Sequence, residues 1–546
     1  MNPKTVLACL AVAISVSTAC TPQHRATVDG DTAFDLVLEG GSVWKGSGSH
    51  PVVADVGIRA DRIAAIGDLS RLRAEKRIDV QGLAVVPGFI DIHSHAVRGS
   101  RASSGLFKHP DAENYVRQGV TTIIGGPDGG SDLSIAGLLG DFENTPASVN
   151  FGTFIGHNTV REAVMGRADR APGADELEAM KQLVGTGMRD GAFGLSSGLK
   201  YIPGAYSKTA EVIELARVAG RHGGIYISHM REEGLGLVSS VEETIRIGEE
   251  AGLPAQITHH KAMGVEMWGA SVKTLALVDA ANARGVDVSS DQYPYAASST
   301  GISVLFPAWS LADTLEVQLA RLADPETRAR IKEGIVFNLI HDRGGDDPSR
   351  IAIADCDWDP TLNGKNFAEI LRERGLPVNM DTAAELAMEI QQNGGCAGVF
   401  HAMSEADVAR IMQHPRTMIA SDGGIHVPGE GVPHPRNYGT FARVLAHYVR
   451  ETHTIPAGEA IYKMSKMPAQ RLGLQDRGVI EVGAMADIAV IDLDTVQDHA
   501  TFEHPHQYAT GVQYVLVNGV MVLGEGRMTG ARPGRALRSP GAVTGR

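Results

Sequence analysis

His93, His95, His229, His259 and Asp422 each close a short apolar run, and all are residues that grip a metal ion or carry a proton. The first run, Pro87-Gly88-Phe89-Ile90-Asp91-Ile92-His93-Ser94-His95, ends in His-x-His. Strand alternation sends His93 and His95 to the same side, so both imidazoles can reach one ion, and zinc accepts histidine nitrogen. Alone, His-x-His would equally describe two surface histidines; the apolar strand and Gly88 before it favour ligation. His229 closes Ile225–Ser228, and His259 closes Gln256–Thr258. A single core histidine is ordinarily a hydrogen-bonded structural residue. Two at matching depth on neighbouring strands point instead to a shared ligand. Of the pair His259-His260, His259 shares a face with Lys261 and is the one expected to point inward. Asp422 follows Met418-Ile419-Ala420-Ser421 and precedes Gly423. Asp before Gly is commonly a turn. At the mouth of a barrel, however, a carboxylate can take the proton of an attacking water and return it to a leaving nitrogen.

The elements that would hold these residues alternate along the middle of the chain. Apolar strands are expected to end near His95, Gly125, His157, Ser196, His229, His259, Asp291 and Asp422. Amphipathic helices follow at Ala174–Arg189, Lys208–His222, Leu237–Ala251 and Ser271–Arg284, with later ones at Glu405–Gln413 and Tyr438–Glu451. This βαβ rhythm predicts a parallel sheet, and eight strands close a barrel whose active site lies at the strands' C-terminal ends. Short strands and tight turns mark residues 34–86 and again 475–530, with the turn pair Asn518-Gly519 in the second piece. The expected fold is therefore α/β: a (β/α)8 TIM-like barrel with a small β-rich domain made from N- and C-terminal segments. Residues 87–310 and 401–474 form the barrel, 311–400 an inserted lobe, and 531–546 a tail.

The length of 546 residues suits a large barrel plus an accessory domain. The net charge of -14 argues against a general nucleic-acid binder. Lys4 precedes an apolar run from Val6 to Val16, followed by Ser17-Thr18-Ala19-Cys20 and a polar stretch. Residues 1–20 are read as a signal peptide and 21–33 as a linker. Cys20 suits a lipoprotein signal, where it would become the lipidated first residue; Ser17 departs from the usual Leu, and a plain secretory signal is the rival. The chain is thus expected to be exported, either periplasmic or anchored to the outer membrane, touching membrane only through a lipid on Cys20. Beyond the leader only Cys356 and Cys396 remain. An oxidising compartment would permit one disulfide between them, while two separate buried thiols read equally well.

Together these stretches resemble the amidohydrolase superfamily and, within it, the N-acyl-D-amino-acid deacylases (D-aminoacylases). The likeness runs over nearly all of residues 34–530. It rests on PGFIDIHSH at 87–95, GVTTIIGGPDG at 119–129, GLSSGLKYIPGAYS at 194–207, GGIYISHMREEG at 223–234, ITHHK at 257–261, DQYPYAASST at 291–300, and ASDGG with HPRNYG at 420–439. The resemblance implies that His93 and His95 are first-strand metal ligands, that His229 and His259 hold the tightly bound zinc, and that Asp422 is the catalytic acid/base. It implies that Lys261, Tyr293 and Arg436 hold a substrate α-carboxylate, and an Arg fork with a Lys suits that anion. One position departs. The deacylases usually place a Cys ligand after the second strand, where this chain reads Gly126-Pro127-Asp128-Gly129. Asp128 then stands in the thiolate's place, as a harder ligand able to bridge two ions; its plain alternative is a turn residue. A carboxylated Lys200 bridging two metals is a further alternative.

The expected activity is hydrolysis of the amide bond of an N-acyl-D-amino acid by a metal-activated hydroxide, since zinc can bring the pKa of its water to about 7. His229, His259 and Asp128 hold the essential Zn2+, while His93 and His95 hold a second ion or polarise the carbonyl. The partner is a small molecule with a free carboxylate. From Tyr293 to Ala320 there is no Lys or Arg, which favours an apolar side chain. The alternatives are opening of a cyclic amide, as dihydroorotases and hydantoinases do, cleavage of a D-residue dipeptide, and a non-catalytic surface barrel that only binds a ligand.

Overall fold

The computed structural model describes residues 33–97 and 105–542; the expected signal peptide, with Cys20 as its expected lipidation site, lies outside these residues. Eight strands form the barrel. In chain order they are Phe89–Asp91, Val120–Gly125, Asn150–Thr153 with its continuation Ile155–Gly156, Gly194–Gly198, Ile225–His229, Ala255–Ile257, Val288–Gln292 and Thr417–Ile419. All neighbouring pairs are parallel. The first and eighth strands meet through a parallel bridge between Ser94 and Gly423, which closes the ring.

The helices follow the expected pattern because one stripe of each is apolar. In Leu237–Ala251, Leu237, Val241 and Ile245 are buried at four-residue spacing. Gly248 continues that stripe, where a Cβ would lie 2.7 Å from the Cβ of Ala255. The missing side chain lets the helix approach the sixth strand. Gly252, left-handed at φ 70°, ends the helix. The expected helix Tyr438–Glu451 is an α-helix over Arg436–Arg443 that runs on as a π-helical turn, Val444–Glu451.

The two flanking β-rich pieces join one sheet. Ala84–Pro87 pairs with Phe34–Val43 on one side and with Ile488–Ile491 on the other. Asn518 and Gly519, at φ 49° and 80°, turn the hairpin between Val512–Val517 and Val520–Gly524, as a two-residue primed turn requires. The expected strands omit Ala74–Asp79, which pairs in parallel with the first strand of this sheet. Its Glu75-Lys76-Arg77 core reads as a solvated loop.

Between the seventh and eighth barrel strands lies a three-stranded sheet ordered Ser298–Gly301, Ala397–Phe400, Ile351–Asp355. Its first strand precedes the expected lobe boundary at 311, because Ser298–Gly301 leaves the barrel at once to pair with Ala397–Phe400. Cys356 and Cys396 form a disulfide at the ends of two of these strands. Residues 531–542 are not a loose tail. Phe151 of the third barrel strand exchanges backbone hydrogen bonds with Arg535 and Leu537 at 3.0 and 2.7 Å.

Candidate metal centre

Except for His229, the last residue of Ile225–His229, the expected strand-end ligands lie just past the regular strands. Strand hydrogen bonding stops at Asp91, Ile257 and Ile419, two or three residues before the functional side chains. The backbone turns there: Asp128, His259 and Asp422 have φ of 54°, 35° and 51°. Such left-handed backbone costs on the order of 1–3 kcal/mol per residue and survives where the surroundings enforce it. Here they do. Asp422 N–H donates to His93 O at 2.9 Å and His95 N–H to Gly423 O at 2.6 Å, sewing the first strand to the eighth. Below that seam, buried Asp91 accepts from Ser421 N–H at 3.0 Å and from the Ser421 hydroxyl. His259 N–H donates to Asp291 Oδ1 at 2.8 Å. The Asp128 turn is held by Ser196, whose Oγ donates to Gly126 O at 2.6 Å and accepts from Gly129 N–H at 3.2 Å. A Cβ at Gly129 would lie 2.1 Å from Asn158 Oδ1, and its φ is 76°, so only glycine fits.

The result is two groups of ligand-type atoms that share Asp128. One contains His93, His95, Asp128 and Asp422; the other contains Asp128, His229 and His259. Asp128 oxygens lie 3.5 Å from His93 Nε2, 3.3 Å from His95 Nε2, 3.7 Å from His229 Nδ1 and 3.5 Å from His259 Nε2. These separations exceed the 2.7–2.9 Å or so of a charge-assisted hydrogen bond. Among the described residues, His93 Nε2, both His229 ring nitrogens, His259 Nε2 and Asp128 Oδ1 are buried without a hydrogen-bond partner. Unpaired buried polar atoms are costly, and four of them (His93 Nε2, His229 Nδ1, His259 Nε2 and Asp128 Oδ1) face one another in a way that fits divalent cations with nitrogen and carboxylate ligands, while His229 Nε2 faces Glu233.

The electrostatics suit the same reading. Burial pushes His229 down to about 4, leaving it neutral with a lone pair to offer. Burial would raise the Asp128 carboxyl, but His93 and His259 hold it well below the usual carboxylate range. Burial would likewise raise Asp422, and the Arg436 guanidinium with His93 overrides it in the same way. Asp422 Oδ1 lies 2.9 Å from His95 Nε2, and its Oδ2 accepts from Arg436 Nη1 at 2.6 Å.

The three residues expected to hold a carboxylate stand together on one wall. The Tyr293 ring lies 4.9 Å from the Arg436 guanidinium and 5.8 Å from Lys261 Nζ. Lys261 turns inward, donating to Glu233 Oε1 at 2.5 Å and His259 O at 2.9 Å, with His259 Nδ1 at 2.6 Å. His260 points away and pairs with Thr274 Oγ1 at 2.9 Å. Lys200 does not join the metal groups. Its ammonium pairs with Glu232 at 2.9 Å and Asp342 at 3.2 Å, which excludes a bridging carboxylated form in this arrangement. His157 pairs with Glu211 at 2.9 Å, not with the cluster. The Tyr201 ring lies tilted against His229, with the ring centroids 4.4 Å apart.

Sequence reasoning missed four buried residues around the centre. Asp91 is an acid inside an otherwise apolar strand, a signal that could have been read, and Asp291 stands near the end of Val288–Gln292, where a strand end was expected but no role was given to it. Glu233, four residues after His229, lies 3.1 Å from His259 Nδ1 and 3.7 Å from His229 Nε2; in Arg231-Glu232-Glu233 it resembles a solvated charge run. Arg343, 3.7 Å from Glu233 Oε2, comes from the lobe, and no local signal announces it.

The Amidohydrolase family model matches residues 76–523. A D-aminoacylase of Alcaligenes xylosoxydans xylosoxydans is 39% identical over 92% of this chain and 97% of its own length. An N-acyl-D-glutamate deacylase of the same organism is 36% identical over 94% of this chain and 98% of its own. Among solved structures, the N-acyl-D-glutamate deacylase from Bordetella bronchiseptica, complexed with zinc and a phosphonate mimic of the tetrahedral intermediate, superposes with a TM-score of 0.79. It shares 33% identity, covering 93% of this chain and all of that one. With the family model spanning most of its length and these relatives matching nearly end to end, the chain belongs to the amidohydrolase family.

Proposed function

We propose that the protein hydrolyses the amide bond of N-acyl-D-amino acids with a resident zinc ion. The observation that carries this reading is the convergence of four histidines and two aspartates from five barrel strands and their loops into two adjoining groups that share Asp128. His229, His259 and Asp128 would hold the tightly bound ion, and His93 and His95, with Asp128 shared, a second. Bound there, zinc supplies Lewis acidity toward the scissile carbonyl and lowers the pKa of its water. Asp422, kept ionised by Arg436, accepts the proton of the attacking water. It then delivers that proton to the leaving nitrogen as the carbon–nitrogen bond breaks, giving a carboxylic acid and a free amino acid. Arg436, Tyr293 and Lys261 form the carboxylate pole that orients the substrate.

The side chain is read as neutral. A cavity of ≈ 660 Å³ opens onto His95, Asp422 and Arg436, and its wall carries Asp355, Asp357 and Glu430. With no cation between Tyr293 and Ala320, an acidic side chain would meet repulsion. Assay of N-acetyl-D-leucine, N-acetyl-D-glutamate, N-acetyl-D-aspartate and N-acetyl-L-leucine tests this. The first should be the best substrate; preference for the L-enantiomer or for an acidic side chain would overturn it.

Export is proposed on the apolar run Val6–Val16 ahead of Cys20, and the Cys356–Cys396 disulfide supports an oxidising compartment. Palmitate labelling that disappears in Cys20→Ala would identify the lipoprotein form.

A further inference from the structure

We infer that Arg343, carried by the inserted lobe, donates directly to the substrate's carboxylate, so that the lobe completes the active site. The inference rests on the deacylase reading above.

A small, partly open cavity sits at the centre of the site, and Arg343 lines it together with His95, Asp128, His229, Tyr293 and Asp422. The residues of the carboxylate pole have few hydrogens left to give. Lys261 is engaged by Glu233 and by both His259 Nδ1 and His259 O. Arg436 spends Nη1 on Asp422 and Nη2 on Ser299 O, at 2.6 and 3.2 Å. Arg343 differs. Its Nε donates to Asp342 at 3.2 Å, and its Nη1 makes only a 3.5 Å contact with Ser298 Oγ. Its Nη2 is buried and has no hydrogen-bond partner among the described residues. Facing Nη2, Glu233 Oε2 stands 3.7 Å away, beyond hydrogen-bond reach, and lacks a hydrogen-bond partner as well. A buried guanidinium with an unused donor beside a cavity is costly unless an anion completes it. A carboxylate matches the fork of Nη1 and Nη2.

The lobe is held in place for this task. Lys200, in the turn after the fourth barrel strand, pairs with Asp342 at 3.2 Å. Asp342 is the residue that also fixes Arg343 Nε. The barrel thereby sets the guanidinium's orientation from outside the metal cluster.

The test compares two substrates that share one scissile bond, N-acetyl-D-leucine and its primary amide N-acetyl-D-leucinamide, in wild type, Arg343→Met and Arg343→Lys. Loss of a charge-assisted hydrogen bond should lower kcat/KM for the acid by about 10- to 100-fold in Arg343→Met. The amide should change by less than about threefold, and Arg343→Lys should recover part of the loss for the acid alone. Zinc content and circular dichroism should stay at wild-type values. An equal loss for acid and amide would show that Arg343 only supports Glu233 or the fold, and no loss would show that it touches nothing; either result overturns the inference. If wild type cleaves neither compound, the deacylase reading falls by itself. Calorimetric binding of N-acetyl-D-leucine, weaker in Arg343→Met than in wild type or unchanged, then decides the contact.

Discussion

The two ends of the barrel bury polar clusters of opposite character. At the N-terminal end Asp487, Arg477, Asn518 and Asn150 saturate one another. Asp487 takes the Arg477 guanidinium, Asn150 Nδ2 at 3.2 Å and Asn518 N–H at 2.7 Å, while Asn518 donates to Asn150 Oδ1 at 2.7 Å. Among the described residues, none of their fully buried side-chain polar atoms is left without a partner. The network clamps the small sheet and the chain's C-terminal segment to the third barrel strand, where Arg535 N–H reaches Asn150 at 3.0 Å. At the C-terminal end His93, Asp128, His229 and His259 each keep a buried polar atom without a hydrogen-bond partner among the described residues, and three residues of the cluster stay in left-handed backbone. One cluster is finished and serves stability; the other is incomplete without an ion and a substrate. An orphaned polar group is thus more informative about function than a buried polar group as such.

Substitutions at the two ends should separate cleanly. Asp422→Asn should lower kcat by about 10²–10⁴-fold, the range of a general acid/base, with zinc content unchanged. Steady-state kinetics and metal analysis on one preparation check this, and a wild-type kcat would deny Asp422 its role. Asp487→Ala should do the reverse. It strands the Arg477 charge, so urea unfolding should show a loss of about 3–5 kcal/mol, while kcat per folded molecule holds steady. A fall in kcat without loss of stability would break the contrast.

A smaller effect sharpens it. Glu211 is buried against His157 and Arg161, with both oxygens engaged at 2.9 and 2.6 Å. Burial would raise its pKa, but His157 and Arg161 pull it below the usual 4.5. A carboxyl lowered in the folded state adds stability above its unfolded pKa and loses it as pH falls through the folded value. Glu211→Gln should therefore cost about 1.5–3 kcal/mol near neutral pH and progressively less below about pH 4.5. Equal unfolding midpoints for variant and wild type at pH 7 would contradict the pairing.

Much of this arrangement was legible in the sequence because it is periodic. Alternation placed His93 beside His95 and chose His259 over His260, and 3.6-residue spacing located Leu237–Ala251 to the residue. What could not be read depends on contacts far apart in the chain. The left-handed turn at Asp422 is enforced by His93, more than 300 residues earlier, and Arg343 reaches the site only because the lobe folds back over it. Lys200 illustrates the converse. A lysine near a metal site suggested a bridging ligand, yet its charge is taken by Glu232 and Asp342. Glu233 stayed hidden because burial, which turns a surface acid into a partner for His259 and Lys261, leaves no mark in Arg231-Glu232-Glu233.

Zinc titration of chelator-stripped protein bears most directly on the metal centre, with bound metal counted and N-acetyl-D-leucine hydrolysis followed in the same samples. Activity should be absent in the stripped protein and rise with the first equivalent bound, and His229→Ala should neither retain that ion nor recover. Stripped protein that still hydrolyses the substrate, or a His229→Ala variant that binds zinc as wild type does, would contradict it.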